Sequence, residues 1–228
     1  MILITTYYIS ENESRNEEIK KCLCKNAENK HIKKIYLLNN KIYDLDFLGN
    51  LTNKVIQYKI SNNTDYILKY SDAIEFINTK LKNEICILSN SDIYFDDTLS
   101  KINSRNIIGR FFALLRYDED DNGNKNIFTR FNEPRDDSQD CWIFKTPLKI
   151  DLNKLDFTFR TLGCDSIFAL HAHETGLKAS NPSLEIVATH AHKTDYRTYN
   201  CDNRIHGNYC LLKPCLLDEI PEPTFMEY

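Results

Sequence analysis

The chain has 228 residues, of which 42% are hydrophobic and 27% charged, and it carries a net charge of −4. This composition is that of a globular protein with enough length for one domain and its core. The negative charge argues against a general nucleic-acid binder. No apolar run approaches the ~20 residues that span a bilayer. Residues 1–6 lack the basic segment and the apolar core of a signal peptide, so we expect a cytoplasmic location.

Eight cysteines are spread along the chain, and no two of them have the Cys-x-x-Cys spacing of a zinc or redox motif. Cys86 and Cys141 lie inside apolar segments, where free thiols behave as small hydrophobic side chains. Because no export signal is present, we expect reduced thiols and no structural disulfide.

The first half of the chain alternates between predicted strands and helices. Residues 2–8, 33–38 and 55–60 are predicted strands, and residues 14–17 form a capping-box pattern that opens a helix. A second helix is predicted after residues 63–64, because apolar residues follow at helical spacing. These residues are Tyr66, Tyr70, Ala73, Ile74, Ile77 and Leu81. The alternation predicts an α/β fold with a parallel, doubly wound sheet.

The second half is predicted to contain further strands and one helix. The strands are residues 107–117, 142–144 and 184–189, and the helix runs from Gly163 to a stop at Gly176. Residues 118–123 are acidic and contain a glycine, so they are predicted to form an exposed loop. The segment from Pro214 onward is predicted to be irregular.

One apolar run is followed directly by small polar residues. Residues 85–88 suit a strand that is buried on both faces, and residues 89–92 (SNSD) follow it. In open α/β sheets, ligands bind at the carboxyl ends of the strands. Asp92 at that position can hold a divalent cation through oxygen, and the cation can hold a diphosphate. A plain strand followed by an Asx turn is the alternative.

Five segments together resemble the GT-A glycosyltransferases, and in particular small nucleotide-sugar enzymes of bacteria and large DNA viruses. The segments are residues 90–96 (NSDIYFD), 138–144 (SQDCWIF), 163–166 (GCDS), 181–184 (NPSL) and 190–192 (HAH). The resemblance covers most of the chain. It implies a single Rossmann-like GT-A domain over residues 1–228, with a nucleotide-binding half up to about residue 97 and an acceptor and catalytic half after it.

The resemblance places a metal ion, Mn²⁺ or Mg²⁺, at residues 90–92. The family has Asp-x-Asp there, whereas this chain has Asn90, and an amide oxygen is a weaker ligand than a carboxylate. Asp92 would be the principal ligand. A histidine after the last strand commonly completes the site, and we prefer His192 over His190, because His190 ends an apolar strand. A surface histidine pair is the alternative.

The resemblance also implies a catalytic carboxylate. Asp165 begins a predicted helix, whose dipole stabilises the ionised form, and inverting members of the family use a carboxylate there as general base. A plain helix cap is the alternative. Asp140 is the rival catalytic residue. Trp142 and Arg116 are placed at the acceptor, although a tryptophan in a strand is more often part of the core.

The nucleotide is expected to lie at the ends of the first strands. The candidate contacts are Thr5, Thr6, Tyr8, Asn39, Asn63, Tyr66, Asn90 and Ser91.

The resemblance therefore implies a metal-dependent glycosyltransferase. It would move a hexose or deoxyhexose from a nucleoside-diphosphate sugar, UDP-linked by preference, to a glycan or another hydroxyl acceptor. An inverting reaction with Asp165 as base is the main hypothesis, and a retaining reaction that uses Asp140 is an alternative. A non-catalytic module that binds sugar nucleotides or glycans is another, supported by Asn90. A nucleotidyltransferase is disfavoured, because residues 5–14 contain no glycine. No nucleic-acid partner is expected.

Overall fold

The computed structural model describes residues 1–120, 122–191 and 203–228. Its helices are α1 (Glu13–Glu28), α2 (Tyr70–Lys80) and α3 (Cys164–Glu174). Its strands are β1 (Ile2–Thr5), β2 (Lys34–Asn39), β3 (Val55–Lys59), β4 (Ile85–Ser89), β5 (Ile93–Phe95), β6 (Arg110–Leu114), β7 (Tyr117–Glu119), β8 (Lys125–Ile127), β9 (Thr129–Arg130), β10 (Glu133–Pro134), β11 (Cys141–Lys145), β12 (Lys178–Ser180), β13 (Ala188–His190), β14 (Asn208–Leu211) and β15 (Thr224–Glu227). Short 3₁₀ helices span Asp46–Lys54, Asp97–Lys101 and Leu152–Leu155.

A seven-stranded central sheet has the order β12-β6-β11-β4-β1-β2-β3. Neighbouring strands are parallel except around β11, which runs antiparallel to both β4 and β6. From β1 the chain adds β2 and β3 on one side and then returns to place β4 on the other side. The strand order therefore reverses between β1 and β4, and such a switch point is where open α/β sheets form their ligand crevice.

The sheet is covered on both faces, and the alternation of side chains along β4 shows how. Cys86 and Leu88 pack in the apolar cluster that contains the buried faces of α2 and α3. Ile87, which points to the other face, packs in the cluster that contains α1. Successive strand residues point to opposite faces, so a continuous apolar run is what a doubly covered strand requires. The predicted mostly parallel α/β sheet with helices on both faces is confirmed.

A smaller sheet with the order β5-β13-β7-β8 lies beside the central one. In this sheet β13 pairs with β5 in antiparallel fashion and with β7 in parallel fashion. His190 at the end of β13 is thereby set opposite Ile93 on one side and Asp118 on the other. The smaller sheet thus brings a histidine and an aspartate close to the segment that follows β4.

Two helix starts differ from the prediction. In α1 the N-cap is Asn12, whose side chain accepts a hydrogen bond from Arg15 N, so the helix begins before the predicted capping box. The predicted cap of α2 forms a separate turn instead, in which Asn63 Oδ1 accepts from Asp65 N. Lys69 is still extended, because it forms a β-bridge with Thr158, and α2 therefore starts only at Tyr70.

Three predictions in the second half are also corrected. The predicted strand 107–117 is divided, because Asn181 Oδ1 accepts from Leu115 N and ends the ladder of β6 at Leu114. The predicted loop 118–123 is partly strand, since β7 and β8 form a hairpin around it. The tail, predicted to be irregular, ends in a hairpin of β14 with β15.

In the described ranges, no helix is long and apolar enough to cross a membrane. The cysteines of these ranges carry free thiols, and Cys201 lies outside them. The absence of a structural disulfide stays a prediction.

Candidate active site

A cavity of about 700 Å³ opens at the switch point of the sheet. Its walls come from the segments after β1, β2 and β4, the segment before β11, and the start of α3. Because β11 is antiparallel to β4, its amino end meets the carboxyl end of β4, and Cys141 lies opposite Ser89. Asp92, Asp140 and Asp165, which are far apart in the sequence, therefore line one cavity.

Asp92 is buried between two cationic side chains. Arg15 Nη2 donates to Asp92 Oδ2 over 2.6 Å, and His190 Nε2 lies 3.1 Å from the same oxygen. Burial alone would raise the pKa of the Asp92 carboxyl, but the charges of His190 and Arg15 outweigh burial and hold that pKa well below its usual range. Asp92 is therefore a fixed negative charge at neutral pH.

His190 is shared between two carboxylates. Its Nδ1 lies 3.1 Å from Asp118 Oδ1, opposite the contact with Asp92. Burial alone would lower the pKa of His190, but the two carboxylates outweigh it and raise this pKa to about 9. The ring is therefore an imidazolium at neutral pH and donates from both nitrogens. An imidazolium has no lone pair for a metal. The choice of His192 as ligand stays a prediction.

Arg116 links this network to Asp140. Its Nε donates to Asp118 Oδ1 over 2.9 Å and its Nη1 donates to Asp140 Oδ2 over 3.4 Å. The guanidinium also lies 3.9 Å from the centre of the Phe128 ring, which fixes its plane. Arg116 lines the cavity but is committed to protein carboxylates.

Asn90 also binds Asp140. Asn90 Nδ2 donates to Asp140 Oδ1 over 3.1 Å, and the backbone N of Asn90 donates to Asp140 O over 3.0 Å. A carboxylate at position 90 would face Asp140 where the amide now donates, and like charges at this distance repel. The departure from Asp-x-Asp therefore has a local reason. Both carboxylate oxygens of Asp140 accept hydrogen bonds, one from Asn90 and one from Arg116.

Asp165 has a different environment, in the first turn of α3. The N-cap is Gly163, with φ +82°, and a Cβ there would lie 1.8 Å from the Tyr209 hydroxyl oxygen. Only glycine fits this tight turn. Asp165 Oδ2 accepts from the backbone N of Gln139 over 3.0 Å. Burial raises the pKa of Asp165 to about 6 and outweighs the hydrogen bonds that lower it. A carboxyl with that pKa is ionised at neutral pH and still has appreciable basicity.

Most of the predicted nucleotide contacts do line the cavity, namely Thr6, Tyr8, Asn39, Tyr66, Asn90 and Ser91. Asn39 is tied into the protein, because its Oδ1 accepts from Tyr7 N and its Nδ2 donates to Gln57 Oε1. The amide thus holds the chain after β1 in place. Binding of a nucleotide by these residues stays a prediction.

Three predicted contacts do not suit their assigned roles. Thr5 is a buried residue of β1 and is not part of the described cavity wall. Asn63 belongs to the exposed turn before α2 and is likewise outside that wall. Trp142 is only 1% exposed and packs edge-on against Tyr70 and Phe168, so it offers no open face to a sugar. A bulky aromatic side chain in a central strand is best buried in the core, and this outweighs a role at the acceptor.

The predicted metal site can be tested against Asp92. Asp92 Oδ1 is buried and has no hydrogen-bond partner among the described residues. Among the described residues, no group of three or more His, Cys, Asp or Glu side chains is arranged to hold a metal ion. His192, the other predicted ligand, lies outside them. A cation bound at the unpartnered Oδ1 would have to take most of its ligands from a diphosphate and water.

Two residues of the site were missed by sequence reasoning. Arg15 is 77 positions from Asp92, and nothing in the α1 sequence indicates that contact. Asp118 was assigned to a loop, whereas pairing of β7 with β13 sets it beside His190. The sequence did indicate His190 as a candidate site residue, because it follows a predicted apolar strand and lies next to a second histidine.

No protein-family model matches the sequence, and no curated protein matches it. Among solved structures, the chain is similar to S. aureus TarS residues 1–349 in complex with UDP-GlcNAc, with a TM-score of 0.55 and 14% identity, covering 86% of this chain and 59% of that one. A second structure of TarS 1–349 gives a TM-score of 0.51, and full TarS also gives 0.51, with 83% of this chain and 36% of that chain covered. This chain thus spans little more than half of the shorter TarS structures.

At this identity the similarity shows the fold alone. The neighbours are glycosyltransferases of the GT-A type, and the fold of this chain is of that type, as the resemblance implied. The resemblance to viral enzymes is not supported by these neighbours.

Proposed function

We propose that the chain is a glycosyltransferase that moves a sugar from a UDP-linked donor to a hydroxyl acceptor with inversion. The observation that carries the proposal is the pairing of two unlike carboxylates in one cavity, the ion-paired Asp92 and the basic Asp165. Such a division of roles is typical of sites that need one fixed charge and one proton acceptor. The TarS complex with UDP-GlcNAc supports a nucleotide-sugar donor.

The donor is proposed to lie between the ends of β1 and β4. Tyr8 and Tyr66 line this side of the cavity and provide apolar surface for the base and ribose. A divalent cation, Mn²⁺ or Mg²⁺, is part of the proposal, with Asp92 through Oδ1 and His192 as the residues that would hold it. When bound, it would neutralise the charge on the departing diphosphate.

Asp165 is proposed to act as the general base. The hydrogen bond from Gln139 N fixes one carboxylate oxygen, and the rigid turn at Gly163 fixes the start of α3. Asp165 would then take the proton of the acceptor hydroxyl as that oxygen attacks the anomeric carbon from the face opposite to the leaving diphosphate. Attack from the opposite face inverts the anomeric centre.

The test combines binding and turnover. Calorimetry with UDP and UDP-GlcNAc, with and without Mn²⁺, is expected to show binding that Mn²⁺ strengthens. Release of UDP from a panel of UDP-sugars is expected in the wild type, and Mn²⁺-dependent release is expected to be lost in Asp92→Ala. Full Mn²⁺-dependent turnover by Asp92→Ala would contradict the metal assignment.

A non-catalytic sugar-nucleotide module is the second candidate, favoured by Asn90 in place of the family's aspartate. It predicts that UDP binds while no donor in the panel is cleaved, either by transfer or by hydrolysis. Asn90→Asp addresses this candidate directly. If the site is inactive because Asn90 replaces a metal-binding carboxylate, the Asn90→Asp variant gains Mn²⁺ affinity and turnover. If Asn90 serves to position Asp140, the variant loses stability and gains nothing.

A further inference from the structure

Arginine is the dominant cation of the cavity, although the chain as a whole is acidic. No lysine is found in the cavity wall formed by the described residues. The arginines of that wall are Arg15, Arg116, Arg130, Arg135, Arg160 and Arg204. Arginine presents a planar fork of donors that matches phosphate and carboxylate, and it stays charged at all relevant pH values.

These arginines differ in how far their charge is neutralised. Arg15 and Arg116 form ion pairs with Asp92, Asp118 and Asp140. Arg135 is paired with Asp137 through two hydrogen bonds of 2.7 and 2.9 Å. The other three, Arg130, Arg160 and Arg204, have no ion pair with any residue in the described ranges. Among the described residues, these three arginines therefore add positive charge to the cavity wall that no ion-paired carboxylate offsets.

Two of these three arginines, Arg160 and Arg204, lie on or beside the segment that leads into α3. Arg204 forms a β-bridge with Leu162, and its Nη1 donates over 3.3 Å to the Tyr209 hydroxyl, which contacts Gly163. Arg160 belongs to the loop that leads into α3, five positions before Asp165. Arg204 thus lies beside the turn that presents the proposed base, and Arg160 lies against Tyr8 on the segment that leads into that turn. Arg15 and Arg116, near Asp92, are ion-paired.

Aromatic rings orient these guanidinium groups. Arg160 lies 5.4 Å from the ring centre of Tyr8, and Arg204 lies 5.0 Å from that of Tyr228. A guanidinium over a ring keeps its edge donors available while its face is packed. The two side chains are therefore held in place before any ligand arrives, which lowers the entropy lost on binding.

We propose that the acceptor carries an oxoanion, a phosphate or a carboxylate, which Arg160 and Arg204 bind while its hydroxyl faces Asp165. This inference rests on the proposed function, because it assigns Asp165 to the acceptor. The oxoanion is assigned to the acceptor because Arg204 lies beside the turn that presents Asp165, whereas the donor diphosphate is assigned to Asp92. Arg160, which packs on Tyr8, is the member of this pair that also adjoins the proposed donor site. The acceptor class is therefore an acidic sugar or polyol.

The test measures binding of three matched sugars in the presence of saturating UDP. A neutral hexose, its 6-phosphate and the corresponding hexuronic acid are titrated by calorimetry into the wild type. They are also titrated into the double variant Arg160→Gln/Arg204→Gln and into the control Arg105→Gln, an exposed arginine outside the cavity. The phosphate and uronate arms distinguish the two sources of the oxoanion.

The wild type and Arg105→Gln are expected to bind at least one anionic sugar about tenfold or more tightly than the neutral hexose, as charge-assisted hydrogen bonds imply. The double variant is expected to lose this preference and to keep its affinity for UDP. Arg160→Lys/Arg204→Lys is expected to restore only part of it, because lysine lacks the planar fork.

Three results would overturn the proposal: no preference in the wild type, a preference that survives in the double variant, or a loss of UDP affinity in that variant without a change in sugar binding. The last result would assign the arginines to the donor. A wild type that fails to bind UDP but prefers the anionic sugar refutes the proposed function and leaves the anion site standing, so the two failures are distinguishable.

Discussion

The two sides of the cavity shift the pKa of a carboxyl group in opposite directions, downward for Asp92 and upward for Asp165. Around Asp92, Arg15 and His190 supply positive charge within hydrogen-bond distance and keep the group ionised. Around Asp165, burial is the largest influence and raises the pKa, as does the charge of Asp140, while backbone amides of Gln139 and of the first turn of α3 lower it. The same side chain thus becomes a permanent charge at one end of the cavity and a carboxyl with a raised pKa at the other. The difference comes from the neighbours that the fold supplies.

The largest effect is expected on the rate of sugar transfer when the carboxylate of Asp165 is replaced. Asp165→Asn keeps the shape of the side chain but cannot accept a proton, so transfer is expected to fall by roughly 10²–10⁴-fold, as for a lost general base. UDP affinity, measured by calorimetry, is expected to change little. The matched control is Glu13→Gln, which removes an exposed acid from the first turn of α1 and is expected to leave transfer unchanged. Near-normal transfer by a folded Asp165→Asn protein would reduce Asp165 to a structural residue.

The second prediction concerns the free energy of unfolding when Asp92, on the other side of the cavity, is replaced. Asp92→Ala leaves Arg15 and His190 buried without their shared partner, and breaking a buried ion pair in this way costs about 3–5 kcal/mol in free energy of unfolding. Urea denaturation measures the loss. Asp97→Ala removes an exposed partner of Lys30 and is expected to change stability little, because solvent screens that pair. Equal effects of the two substitutions would refute the difference between buried and exposed pairs.

A third prediction sharpens the account of the turn that presents Asp165. Gly163→Ala forces a Cβ against the Tyr209 hydroxyl and is expected to lower the free energy of unfolding by about 1–3 kcal/mol, a typical overpacking cost. Gly176→Ala is the control. Gly176 also has positive φ, +90°, but its Cβ would meet no atom within 4 Å, so only backbone strain is added. The prediction fails if both variants lose the same stability.

The smallest expected effect is on pH dependence. Because the pKa of Asp165 is raised to about 6, transfer is expected to increase about tenfold per pH unit below pH 6 and to level off above it. Stability has the opposite sign, since a carboxyl with a raised pKa opposes folding as it ionises. The wild type is therefore expected to lose stability between about pH 4 and pH 6, relative to Asp165→Asn. A constant stability difference between the two proteins over that range would contradict the raised pKa.

Sequence reasoning was sufficient for the parts of the fold that depend on local patterns. The run at residues 85–88 predicted β4, and Gly163 before Asp165 predicted the start of α3. Contacts that depend on strand pairing were not predictable, such as Arg15 with Asp92 or Asp118 with His190. The start of α2 was misplaced because the bridge between Lys69 and Thr158 is also a long-range contact. The side-chain types at positions 90–92 and 165 indicated the chemistry, and the tertiary fold determined their partners.

The most direct test of an inverting transferase with Asp165 as base is the anomeric configuration of the product. The protein is incubated with an α-linked UDP-sugar and an acidic sugar acceptor, and the new glycosidic bond is assigned by its proton coupling in NMR spectra. The wild type is expected to give the β-anomer, and Asp165→Asn is expected to give that same anomer at a much lower rate. A product that keeps the α-configuration would contradict the central claim.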